Sequence, residues 1–172
     1  MSKKTSAVVT TAFIALTGPS FAGPGHGDDF GHPGAEAKVD RTIEILMTEM
    51  EYSPSEIEVK EGETIKFIIR NDGRAIHEFN IGVDETWQAH RKEMHDMFKM
   101  GLMNTRRINH EKMMSSGMMH DDPNSVLLEP GEEAELIWEF SKRGEFGFAC
   151  NVPGHFEAGM AAPFRFVDES GS

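Results

Sequence analysis

A chain of 172 residues is long enough for one domain with a buried core. It carries 29 acidic against 17 basic side chains, a formal net charge of −12, which argues against nucleic acid or an anionic membrane as partner. A single cysteine excludes an internal disulfide.

Lys3 and Lys4 precede an apolar run from Ala7 to Leu16, Gly18-Pro19 breaks any helix, and Ser20-Phe21-Ala22 places small residues where a signal peptidase reads. The run falls far short of the roughly 20 residues that a membrane span needs. Residues 1–22 are therefore predicted to be a cleaved secretory signal that sends the chain to the periplasm. Cleavage leaves 15 basic against 29 acidic side chains, a formal charge of −14. Residues 23–38 hold too much Gly and Pro to pack, and a mobile tail is expected there, with folded structure starting near Val39.

From that point the chain reads as short strands. Arg41 to Met47 alternates polar and apolar residues, and Ile57 with Val59, then Ile65, Phe67 and Ile69, carry the same period of two. Glu61-Gly62-Glu63 and Asn71-Asp72-Gly73 are turn signals. His77 to Ile81, Ser125 to Leu128, Ala134 to Phe140 after a Pro130-Gly131 turn, Gly144 to Ala149, and Phe164 to Val167 complete the set. Seven or eight such strands predict an all-β, Greek-key sandwich with antiparallel sheets over residues 39–168, followed by a disordered end at 169–172.

Residues 84–124 interrupt this pattern as an insertion, too long to be a structureless loop. Its first half, Glu85 to Met103, lacks proline, and Trp87, His90, Met94, Met97 and Phe98 fall on one helical face. Eight of the eleven methionines left after cleavage lie in the insertion, together with His90, His95, His110 and His120.

The lone Cys150 opens the stretch Cys150-Asn151-Val152-Pro153-Gly154-His155, and Met160 follows five residues later. A thiolate, imidazoles and a weak thioether form the ligand set of a mononuclear blue-type copper site. His77 on an upstream strand supplies the second imidazole, so Cys150, His77, His155 and Met160 are the candidate ligands. Zinc is the chemical alternative, but methionine is a poor zinc ligand. Ligation also removes the hazard of a free thiol in an oxidising compartment.

The histidine on an upstream strand followed by C-x4-H-x4-M resembles the cupredoxins, with the loop spacing of rusticyanin-type members. His77-Glu78-Phe79, the Met/His-rich insertion, His120-Asp121-Asp122-Pro123-Asn124 and Gly154 to Met160 are together similar to periplasmic copper-tolerance cupredoxins of the CopI type. The match spans roughly residues 39–168, and the resemblance implies a role in copper tolerance.

Thioethers bind copper(I) without deprotonation, so the insertion is a candidate for extra copper sites. His90, Met94, Met97, Met113, Met114, Met118, Met119 and His120 are the candidates there, with His26 and His32 in the tail. Packing accounts for two or three of these methionines but not for the polar stretch Met113 to His120. The expected function is a copper-binding protein, not an enzyme, with slow oxidation of copper(I) left open as a side activity. Copper ions are its expected ligand, and a copper exporter, a copper chaperone or a redox protein its candidate partners. A soluble electron carrier is the alternative, though such a carrier does not need the insertion. A multicopper oxidase or nitrite reductase would need more domains and paired histidine sites.

Overall fold

Strand alternation builds the core. In β5 (Thr64–Asn71) Ile65, Phe67 and Ile69 have no exposed surface, while Lys66, Ile68 and Arg70 point away from the core. Ile45 and Met47 of β2 (Arg41–Thr48) and Leu136 and Trp138 of β8 (Glu133–Glu139) add to the same layer. The opposing layer comes from Phe79 and Ile81 of β6 (His77–Gly82), Phe148 of β9 (Gly147–Ala149) and Phe164 of β10 (Ala161–Phe166). The rings interlock across the two layers, Phe67 lying 5.3 Å from Phe79 and 6.0 Å from Phe164 between centroids.

The computed structural model describes residues 31–118 and 122–168. The remaining elements are β1 (His32–Pro33), a 3-10 turn (Glu36–Lys38), β3 (Glu51–Ser53), β4 (Ile57–Val59), β7 (Ser125–Leu128), and two α-helices, α1 (Asp84–Lys99) and α2 (His110–Ser116). The strands form two five-stranded sheets, ordered β1-β8-β5-β2-β3 and β4-β10-β9-β6-β7. The all-β sandwich with a partly helical insertion is therefore the observed architecture. The sheets are not purely antiparallel, however: β2 pairs parallel with β5, and β4 with β10. Alternation along a strand reports which face is buried, and it carries no information about the direction of the neighbour.

Folded structure also begins earlier than Val39. His32 and Pro33 pair with Glu139 and Trp138, and the Gly34 N–H donates to the Ile137 carbonyl at 2.9 Å. Gly31 is required for this approach. A Cβ there would stand 2.3 Å from the Glu139 carbonyl oxygen and 2.5 Å from Trp138 Nε1. The predicted signal, the tail up to and including His26, Met119, His120 and the last four residues lie outside the described residues.

All six residues of β6 are buried. One face meets the sandwich core; the other, carrying Glu78 and Asn80, is roofed by the insertion. Trp87, His90, Met94 and Met97 of α1 form that roof, and Trp87 Nε1 donates to the Asn80 carbonyl at 3.3 Å. Phe98, assigned to the buried face from its spacing, is instead 36% exposed, because the 87, 90, 94, 97 repeat already completes the stripe. Helix α2 starts at Asn109, whose side chain accepts the Lys112 N–H at 2.9 Å, and ends at Gly117 in the left-handed region. It buries Met113, so the stretch Met113 to Met118 is partly packed, against the expectation that packing could not explain it. Arg107 donates to Glu129 Oε2 at 2.6 Å and the Ile108 N–H to Glu129 Oε1 at 2.7 Å, pinning the turn between the helices to the sandwich.

This division of α1 predicts opposite costs at neighbouring positions. Met94, 1% exposed, should lose about 2–5 kcal/mol of stability on substitution by Ala. Phe98→Gln should shift stability by no more than about 0.5 kcal/mol. Urea unfolding of the two variants measures both.

Candidate metal centre

Two segments far apart in the chain meet at one end of the sandwich. His77 is the first residue of β6, and Asn71 sets the loop before it. The Asn71 side chain, fully buried, donates to the carbonyls of Ala75 at 2.9 Å and Leu128 at 2.8 Å and accepts the Gly73 N–H at 2.9 Å. The sequence identified Asn71-Asp72-Gly73 only as a turn; its side chain is what locks the turn. Cys150 follows β9, and the loop after it closes on itself. The Cys150 N–H donates to the Met160 carbonyl, and the Met160 N–H to the His155 carbonyl, both at 3.0 Å.

The result is a cluster in which ligand atoms of His77, Cys150 and His155 all lie within 4.8 Å of one another, each residue buried. Cys150 Sγ is 3.3 Å from His155 Nδ1, and the two imidazole rings are 4.8 Å apart between centroids. The Glu78 N–H donates to Cys150 Sγ at 3.3 Å. Met160, fully buried, joins the cluster through the backbone bonds of the loop. Of the sequence-predicted ligands, the three nitrogen and sulfur donors are thus brought together.

Both ring nitrogens of His77 are buried without a hydrogen-bond partner. Burial, then the neighbouring His155, pushes its pKa down to about 4, and burial lowers that of His155 as well. Burial, then the Glu78 charge, pushes the Cys150 thiol up to about 12. A buried His77 imidazole without a partner and an enclosed thiol are costly as ordinary side chains, and a metal ion held with His155 satisfies them together. A thiolate with two imidazoles and a nearby thioether suits copper.

Sequence reasoning missed what supports the cluster. Glu78, 2% exposed, accepts four hydrogen bonds: His90 Nε2 at 2.7 Å and Ser125 Oγ at 2.9 Å on one oxygen, Asn151 N at 3.1 Å and Nδ2 at 2.9 Å on the other. Burial would raise its pKa, but the His90 charge and the donated bonds outweigh that and hold it below the usual carboxylate range. For His90 the same contest ends at about 9, with burial opposed by the Glu78 charge and bond and by Glu93. A buried Glu78 carboxylate and His90 imidazolium therefore join helix α1 to the residue after Cys150. Alternation alone would have turned Glu78 toward solvent, and only its pairing in space reveals the role.

The other candidates divide. Met94, Met97, Met113 and Met118, with Ile108, His110 and Asp122, line a cavity of about 180 Å³ between the insertion and the sandwich. Glu78 and His90 stand in its wall, and the His90 ring is engaged by Glu78 at 2.7 Å, so a metal there would have to displace its proton. Met114 is 60% exposed and turned away. His32 is held in β1, near the Pro33 carbonyl and Glu139.

A family model of the cupredoxin-like domain matches residues 10–88. Among curated proteins, the copper-resistant cuproprotein CopI of Pseudomonas aeruginosa is 44% identical over 150 residues, covering 81% of this chain and 83% of that protein. Proteins of the same name from Rubrivivax gelatinosus and Vibrio cholerae are 36% and 31% identical, over 87% and 77% of this chain and 87% and 69% of theirs. Among solved structures, auracyanin B superposes with a TM-score of 0.58 at 15% identity, covering 81% of this chain and 97% of that one. Reduced auracyanin from Roseiflexus castenholzii gives 0.53 at 21% identity, covering 76% and 99%. These two likenesses concern the fold.

Two predictions follow from the charges at the site. With Cys150 near 12 and His77 near 4, loading copper(I) at about pH 7 should release about one proton per ion, from the thiol. Calorimetry in buffers of different ionisation enthalpy counts it; zero or two would contradict these assignments. The second concerns His90, whose folded pKa is raised. Its contribution is complete below its unfolded pKa of roughly 6.5 and fades as pH rises through about 9. Metal-free protein should therefore lose roughly 2 kcal/mol between about pH 6 and about pH 8. Glu78→Gln, itself less stable, should lose that slope.

Proposed function

The chain belongs to the CopI-type cupredoxins, and from that premise we propose that it is an exported, periplasmic copper-binding protein that protects against excess copper. The buried His77–Cys150–His155 cluster carries this reading. His77, Cys150 and His155 would hold a type 1 copper ion, with the thioether of the buried Met160 as a further, weak donor. Copper in such a site exchanges one electron with little rearrangement of its ligands.

The chain's own residues do the rest. Asn71 and the Cys150–Met160 loop hold the donors in place before a metal arrives. Glu78 presents its N–H to the thiolate and clamps Asn151. Full burial of Cys150 within the hydrophobic core cluster keeps water from the sulfur. No helix among the described residues is long and apolar enough to cross a membrane. Binding and buffering, not catalysis, are the proposed activity.

The methionine cavity is proposed as the extra copper(I) site, replacing the broader candidate set. Met94, Met97, Met113 and Met118 converge there from two helices and the segment after them, and His110 supplies an imidazole at its wall. An ion bound there is cargo. It needs soft, neutral donors in a site of low dielectric, and four thioethers offer these without any change of protonation.

The deciding experiment is copper stoichiometry per chain under reducing and oxidising conditions. Replacing Met94, Met97, Met113 and Met118 together by Leu keeps apolar bulk and removes the sulfurs. Copper(I) stoichiometry should then fall by about one, while the thiolate-to-copper absorption of the Cys150 site persists. One copper in the unaltered chain, with no change in the quadruple variant, would favour an electron carrier instead.

A further inference from the structure

The chain's net charge is −12, yet three of its arginines meet at one place. Arg74, on the loop before β6, and Arg106 and Arg107, on the turn between α1 and α2, line an open cleft of about 460 Å³ with Gly73 and Pro130. The two segments are joined where the Ile76 N–H donates to the Thr105 carbonyl at 2.9 Å. The Asn104 side chain accepts the N–H groups of Arg106 at 2.8 Å and Arg107 at 3.1 Å, which shapes the turn that presents both side chains.

All three arginines are exposed. Arg107 is paired with Glu129, and Glu49 accepts the backbone N–H of Arg74. The guanidinium groups of Arg74 and Arg106 make no hydrogen bond or ion pair among the described residues. Glu129 offsets Arg107 and the Glu49 carboxylate lies near Arg74, yet three guanidiniums against two carboxylates leave a local positive excess in a chain with 29 acidic side chains. Their planar forks match carboxylates.

The floor of the cleft gives the location meaning. A Cβ on Gly73 would stand 2.8 Å from His77 Nε2, so a single backbone layer separates the cleft from the buried imidazole. We propose that this arginine cleft is the docking surface for the acidic face of a partner protein, seated one residue from His77. The cleft is open and its donors are exposed, as suits a broad carboxylate-bearing surface; an enclosed small-anion site would bury them. Docking stands on the arginines alone, while its bearing on the metal centre rests on His77 being a ligand.

The test uses the full copper(I)-loaded chain, with a deca-glutamate peptide as the probe and amide and histidine-ring NMR shifts as the readout. The peptide should move the amides of Gly73 to Ala75 and Asn104 to Ile108, and the His77 ring with them. Binding should weaken with salt and be about tenfold weaker in the double variant Arg74→Glu, Arg106→Glu. Equal binding by that variant, or shifts confined to another surface, would overturn the proposal. Inorganic phosphate reproducing the same shifts and displacing the peptide at equal concentration would overturn it in favour of a small-anion site. Cleft amides moving while the His77 ring does not would refute the link to the metal centre and uphold the docking surface.

Discussion

The hydrogen-bonded carboxylate of Glu78 is the interaction on which the rest of the structure depends. Its backbone N–H faces Cys150 Sγ, one oxygen faces Asn151, and the other faces His90 and Ser125. Four parts of the chain (β6, α1, β7 and the cysteine loop) therefore share one buried charge. Removing one partner of such a group strands the others in low dielectric, so the arrangement persists only as a whole. That makes the position of the cysteine sulfur depend on the insertion as well as on the sandwich.

The insertion is accordingly more than an appendage. It closes the outer face of β6, which in a bare sandwich would meet water, and makes a strand with an acidic residue fully buried. Its methionines both pack that face and line a cavity. Met94, Met97 and Met113 belong to the hydrophobic core cluster, and the same side chains line the cavity beside Glu78. A thioether fills irregular space and remains a soft donor, so packing and copper(I) binding do not compete for the same residue type. Met100 and Met114, at 49% and 60% exposed, lie outside that arrangement.

Charge is distributed with similar economy. Most basic side chains of the sandwich are paired with carboxylates, as Arg41 with Glu63, Lys66 with Glu135, and Arg165 with Glu56 and Glu58. Such exposed pairs contribute little to stability, and their main effect is to flatten the local potential. Against that background Arg74 and Arg106, whose guanidinium groups make no ion pair among the described residues, stand out by contrast in the cleft lined by Gly73.

The candidate donors and the sandwich architecture are legible in the sequence. A lone cysteine, the C-x4-H-x4-M spacing and an upstream histidine point to a copper ligand set, because few metals take that mixture of soft sulfur and borderline nitrogen. Period-two alternation and turn residues mark the strands, since each strand must bury one face. What the tertiary structure alone decided are the relations between distant segments. The parallel pairings, the early start at Gly31, the exposure of Phe98 and the packing of Met113 depend on which surface lies opposite, which local periodicity does not encode. Glu78, His90 and Asn151 are ordinary polar residues when read singly. Their role arises only because folding brings a carboxylate, an imidazole and an amide within hydrogen-bond distance in a buried place.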